Sequence, residues 1–207
     1  MFCSSQDDQI AMGVEALRAG FVVAFPTDTV YGLGACAYSE EGVERVFAIK
    51  GRPLSMALPL LLGDLSQIDE VASVVSGVAR SLAKHFWPGP LTLVLPKDPC
   101  IPDRVTGSAP TVAVRVPDHP VALALVRSLG HPVTGTSANL SGTPAVRNHW
   151  DVREQLGNSV SVVIDGTCPI GMPSTVVDCS QGLPRILREG AIPRVNLEAI
   201  WSEMRAS

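Results

Sequence analysis

The stretch from Phe21 to Leu62 constrains the chain most. It opens with five apolar residues, Phe21 to Phe25, without the polar alternation of a half-exposed strand, so both faces are expected to be covered. A polar turn, Pro26 to Thr29, and a glycine loop, Tyr31 to Gly34, come next. A helix follows, with Ser39 as its cap, Glu40 and Glu41 at its positive end and Lys50 at its negative end. Pro53 stops it, and a second apolar run covers Ala57 to Leu62. Two hydroxyls and a carboxylate therefore leave the first strand, and two fixed cations, Lys50 and Arg52, stand just before the second. Ligands bind at strand ends in sheets of this kind. The unit reads as half of a pocket for a polyanion and a small polar molecule.

The remaining pattern supports an α/β or α+β domain with a mixed sheet. Asp7 or Asp8 is expected to cap a first helix that Gly20 ends, and Asp118 to cap a later one with Pro120 in its first turn. Strands are expected at 91–95, 111–116, 132–134 and 160–164, with a hairpin from 174–178 and 185–188. Residues 96–110, with four prolines, and 135–142 read as loop, and Asn196 is placed as the cap of a last helix. With 207 residues, 46% of them apolar and 17% charged, the chain is expected to be one compact domain, 1–207. A net charge of -4 argues against a protein that coats nucleic acid. The five scattered cysteines, the lack of a basic-then-apolar start and the lack of a long apolar run predict a cytoplasmic protein with reduced thiols and no membrane contact.

Several motif readings fail on spacing. Gly32 to Ala37 fits G-x-G-x-x-A, but six residues separate it from the strand and no acidic residue follows at the required distance. No P-loop occurs. The four histidines show no metal-ligand spacing, and the 135–139 segment lacks the nucleophile-elbow pattern. What remains is a set of cations at turns and strand ends, Lys50, Arg52, Arg115 and Arg188, beside the hydroxyls of Thr29, Ser137 and Ser174. Guanidinium groups bind phosphate and carboxylate in bidentate fashion, and hydroxyls add donors without charge.

The motifs PTDTVYGLG (26–34), KGRP (50–53), WPGPLT (87–92), VRVP (114–117), SANLSG (137–142), STVVD (174–178) and LREGAI (187–192) occur in this order. Together they resemble the threonylcarbamoyl-AMP synthases, the YrdC-like family, over residues 10–192. The resemblance is to the short form, without the extra C-terminal domain. It implies a twisted mixed sheet with flanking helices around a basic concave cavity. It also implies a nucleotidyltransferase that makes threonylcarbamoyl-AMP and pyrophosphate from L-threonine, bicarbonate or CO2, and ATP. The adenylate would pass to the machinery that modifies adenosine 37 of tRNA. Lys50 and Arg52 are the implied catalytic cluster. Thr29, Arg115 and Ser174 are implied threonine contacts, and Arg52, Thr111, Ser137, Asn139 and Arg188 implied ATP contacts. Mg2+ is expected with ATP, and no protein-only metal site. The family's frequent K-G-R-P-x-x-[KN]-P-L-x-x-H is altered here at Met56, Ala57 and Leu61. The alternatives are a double-stranded RNA or tRNA-binding module and a carbamoyl-adenylate-forming relative.

Overall fold

The computed structural model describes residues 5–206; Cys3 lies outside them. Eight helices, α1 Gln6–Arg18, α2 Glu40–Lys50, α3 Ile68–Val71, α4 Gly77–Phe86, α5 Asp103–Thr106, α6 Pro120–Leu129, α7 His149–Leu156 and α8 Arg194–Ala206, surround two sheets of the described chain. The strands are β1 Val23–Phe25, β2 Gly32–Gly34, β3 Leu60–Leu61, β4 Leu91–Pro96, β5 Thr111–Arg115, β6 Val133–Thr134, β7 Thr136–Ser137, β8 Val162–Val163, β9 Thr175–Asp178 and β10 Arg185–Arg188. The smaller sheet has the order β7-β2-β1-β8 and the larger β10-β9-β4-β5-β3-β6. Both are mixed: β1 runs parallel to β8 and antiparallel to β2, while β4 runs parallel to β9 and antiparallel to β5.

The period of two along each strand decides what the large sheet presents on each face. Leu91, Leu93 and Leu95 of β4, Val112 and Val114 of β5 and Val177 of β9 enter the main core. The alternate residues Thr92, Ala113, Arg115 and Val176 face a cavity instead. A second core joins α1 and α6 to the small sheet through Val14, Leu17, Phe25, Leu125 and Ile164. The two sheets meet where Thr134 of β6 donates its backbone N–H to the Ala35 carbonyl at 2.8 Å and its hydroxyl accepts from the Ala35 N–H at 2.9 Å.

Several local expectations are corrected. The expected glycine loop is strand β2. A Cβ on Gly34 would lie 2.0 Å from the Thr134 carbonyl oxygen, so the glycine is required by a crossing strand. Ser5, not Asp7 or Asp8, caps α1; its hydroxyl accepts from Asp8 N–H, and the Asp8 carboxylate returns to the Ser5 N–H. The His119 ring caps α6, while Asp118 uses its N–H on the Asp28 carboxylate. Residues 96–110 contain α5, closed by Gly107 in the left-handed region, and the expected loop at 135–139 contains β7. Asn196 falls in the first turn of α8 and is not its cap. No helix of the described residues is long and apolar enough to cross a membrane.

Candidate functional site

A cavity of about 300 Å³ opens between the two sheets. The small sheet contributes the turn after β1, with Thr27 and Thr29, together with Gly32, Thr136 and Ser137. The large sheet contributes Leu61, Thr92, Ala113, Arg115, Ser174, Val176 and Arg188. Arg52 reaches the cavity from the turn that Gly51, in the left-handed conformation, forms at the end of α2. Thus Thr29, Arg52, Arg115, Ser137, Ser174 and Arg188, scattered over 160 residues of sequence, share one hollow.

The three arginines differ in how they are held. Arg52 donates from Nε to Ser141 Oγ at 2.8 Å and from Nη1 to Thr136 Oγ1 at 3.4 Å. Arg188 donates from Nη2 to the Ser174 carbonyl at 2.9 Å, and burial lowers its pKa. Among the described residues neither makes an ion pair with a carboxylate. Arg115, in contrast, is 6% exposed and ion-paired to Asp28. Its Nη1 donates to Thr29 Oγ1 at 2.8 Å and its Nε to the Gly89 carbonyl at 2.9 Å. Burial lowers the Arg115 pKa; Asp28 opposes that shift and the nearby charge of Arg188 adds to it. Two hydroxyl pairs complete the walls, Thr27 with Thr29 at 3.0 Å and Thr92 with Ser174 at 2.8 Å.

Three expected site residues are not in the cavity wall. Lys50 is 1% exposed. Its ammonium donates to the carbonyls of Ser137 and Asn139, the latter at 2.5 Å, and to Asn139 Oδ1 at 3.1 Å. All three ammonium protons are used within the protein, so Lys50 ties α2 to the 137–139 segment from behind the cavity lining. Burial, then repulsion from Arg52, lowers its pKa from 10.5 to about 8. Asn139 is equally occupied, since its amide nitrogen donates to the Leu140 and Thr143 carbonyls at 3.0 and 2.6 Å. Thr111 begins β5 opposite Pro96, at the end remote from Arg115. Of the altered positions, Met56 is exposed, while Ala57 and Leu61 line the cavity and give it an apolar wall.

The cavity also holds three polar residues outside the expected set, Thr27, Thr92 and Thr136. Thr92 could have been found from strand alternation, because Leu91 and Leu93 bracket it. Thr27 and Thr136 lie in the turn after β1 and in β7, and in sequence nothing distinguishes them from turn-capping hydroxyls. The arrangement can hold a polyanion on free guanidinium groups beside a small molecule on hydroxyls and a paired arginine. The nearby Cys168 thiol is buried, which pushes its pKa up to about 11 and leaves it a poor nucleophile at neutral pH. Among the described residues, no three His, Cys, Asp or Glu side chains cluster as metal ligands.

The Sua5/YciO/YrdC family model, described as "Telomere recombination", matches residues 15–190. A threonylcarbamoyl-AMP synthase of Bacillus subtilis is 43% identical over 202 residues, covering 95% of this chain and 58% of that protein. One from Vibrio cholerae is 39% identical over 188 residues, covering 88% of this chain and 98% of that protein. The crystal structure of Pyrococcus abyssi Sua5 complexed with L-threonine superposes with a TM-score of 0.91 at 40% identity, over 96% of this chain and 58% of that one. The chain therefore spans about 58% of the length of some of these relatives and nearly all of others. The family match, residues 15–190, runs through every strand that builds the cavity, and the chain belongs to the Sua5/YciO/YrdC family.

Proposed function

We propose that the protein is an L-threonylcarbamoyl-adenylate synthase, a nucleotidyltransferase that joins L-threonine, CO2 or bicarbonate, and ATP. The observation that carries this reading is one cavity with two kinds of arginine. Arg52 and Arg188 hold no carboxylate and suit a triphosphate, while Arg115, Thr29 and Ser174 form a hydroxyl-rich corner around a paired guanidinium. The names of the relatives and the L-threonine in the Pyrococcus abyssi structure support the same assignment. In this reading Ser137 contacts the nucleotide, and Lys50 and Asn139 act behind the wall by holding Ser137 in place.

The chemistry asks little of protein nucleophiles. The amine of threonine adds to CO2 and loses a proton, giving a carbamate. A carbamate oxygen attacks the α-phosphorus of ATP, the bond to the β-phosphate oxygen breaks, and pyrophosphate leaves. The protein's task is to hold two anions at reacting distance and to stabilise charge on the leaving pyrophosphate. Free guanidinium groups do both. Mg2+ is expected on the phosphate oxygens themselves, as is usual for triphosphate substrates. The product adenylate would serve threonylcarbamoylation of tRNA adenosine.

Purified protein with labelled bicarbonate, ATP and each of threonine, serine and valine tests the proposal. Label should enter an adenylate, with stoichiometric pyrophosphate, only when the amino acid carries a hydroxyl. Threonine should lead serine by about 10-fold to 200-fold, the worth of one buried methyl. Pyrophosphate release that ignores the amino acid would exclude the reaction. Retention of RNA with a steep salt dependence and no turnover would favour the binding-module alternative instead.

A further inference from the structure

Asp28 is not part of the cavity wall. It is 3% exposed and lies behind Arg115, its Oδ1 accepting from Arg115 Nη2 and from the Asp118 N–H at 3.2 Å. Its Oδ2 is buried and has no hydrogen-bond partner. Arg115 is the only cation within ion-pair distance of it among the described residues. The cavity consequently has two electrostatically different halves. Arg52 and Arg188 supply positive charge that no carboxylate offsets, whereas the Asp28–Arg115 pair is neutral as a unit. Arg115 still has donors to offer. A guanidinium carries five N–H groups, and Gly89, Thr29 and Asp28 take three. One N–H remains on each terminal nitrogen and is available to a carboxylate.

We infer that Asp28 is a positioning residue that partitions the cavity by charge, fixing and neutralising Arg115 so that polyphosphate settles on Arg52 and Arg188 while the single carboxylate of an amino acid takes Arg115. A polyanion gains most where positive charge is uncompensated, and at Arg115 it would also meet the Asp28 carboxylate across a poorly screened interior. An amino acid loses less there, because its ammonium group offsets its own carboxylate. The inference rests on the two-substrate reading and extends it: Asp28 keeps the triphosphate out of the amino-acid half.

Calorimetric titration with inorganic pyrophosphate, with and without saturating L-threonine, tests this without turnover. Wild-type protein should bind one pyrophosphate with an affinity that threonine changes by less than about twofold. Asp28→Asn keeps the oxygen acceptor but removes the charge. In that variant pyrophosphate should invade the Arg115 half and raise the apparent threonine Kd at least tenfold. Arg188→Gln leaves the pair intact; it should weaken pyrophosphate at least tenfold, and the residual binding should stay independent of threonine. The partition is overturned if wild type binds both ligands and Asp28→Asn keeps them independent. It is equally overturned if residual pyrophosphate on Arg188→Gln competes with threonine, which decides the matter even where Asp28→Asn does not fold. Wild-type protein that binds neither ligand overturns the two-substrate reading, and the partition with it.

Discussion

Arg52 and Arg188 owe their value to what they lack. An exposed arginine paired to a carboxylate gains little, about 0–1 kcal/mol, and is easily screened. These two are held by neutral oxygens of Ser141, Thr136 and Ser174, so their orientation is set while their charge stays available. Replacing either by alanine should raise the KM for ATP and lower kcat/KM at least tenfold, consistent with losing one charge-assisted contact worth roughly 1.5–3 kcal/mol. Steady-state kinetics with varied ATP checks this, and unchanged kcat/KM would remove that arginine from the site. Lys50 behaves differently, because its ammonium is buried among carbonyls. Lys50→Met should destabilise the fold by about 1–3 kcal/mol by leaving those acceptors unmatched. The folded pKa near 8 lies below the unfolded 10.5, so between these values the unfolded chain binds the extra proton. Wild-type stability should therefore rise relative to Lys50→Met from about pH 8 to pH 10.5, measured by paired denaturant titrations. A gap that stays flat across that window would show that Lys50 titrates normally. The sequence identifies Lys50 as a cation just before the apolar run 57–62, whereas its ammonium lies against Ser137 and Asn139. It does not reveal that Gly51 turns the chain there, which points Arg52 into the hollow and leaves Lys50 beneath Ser137.

At the level of elements, apolar runs mark the strands, alternation adds which face each residue takes, and glycine misleads. Long apolar strands such as β4 and β5 carry their period of two openly, so their positions and their Leu91 and Val114 core faces follow from the pattern. Short strands such as β1 and β8 still show as parts of apolar runs, whereas β2 and β7 consist mostly of glycine and hydroxyl residues and read as loop for that reason. In β2 the glycines are needed because neighbouring strands pass closely: Gly34 lies under the Thr134 carbonyl and Gly32 against the Phe25 ring. Gly34→Ala would place its methyl carbon 2.0 Å from a backbone oxygen, which no side-chain rotation relieves. That substitution should cost more than 3 kcal/mol or prevent folding, among the larger single-residue effects. Gly130→Ala serves as the comparison. No atom lies within 4 Å of its added carbon, and its cost, about 1 kcal/mol, should reflect only the left-handed backbone at φ 77°. Equal melting temperatures for the two variants would mean that β2 does not cross β6 as closely as the hydrogen bonds between Ala35 and Thr134 require.

For the whole molecule, the consequential fact is that neither sheet owns the site. A chain with net charge -4 concentrates free guanidinium groups where a four-stranded and a six-stranded sheet face each other. Sequence motifs name many residues of each wall, but the pairing of walls depends on contacts such as those between Ala35 and Thr134 of β6, which no local pattern announces. A ligand filling the cavity must touch Thr29 and Ser137 on one side and Ser174 and Arg188 on the other, so binding should brace the two sheets together. Saturation at about 100 times Kd stabilises a protein by roughly 2.7 kcal/mol. For a chain of 207 residues that corresponds to about 5–11 °C in Tm. Calorimetry with threonine and a non-hydrolysable ATP analogue should show a rise of that order. Hydrogen exchange should then slow together in the β7–β2 edge and in the β9–β10 hairpin, although their strands belong to different sheets. Protection confined to one of them would mean that the ligand rests on a single wall, and a cavity that works by holding two anions between opposed sheets could not operate that way.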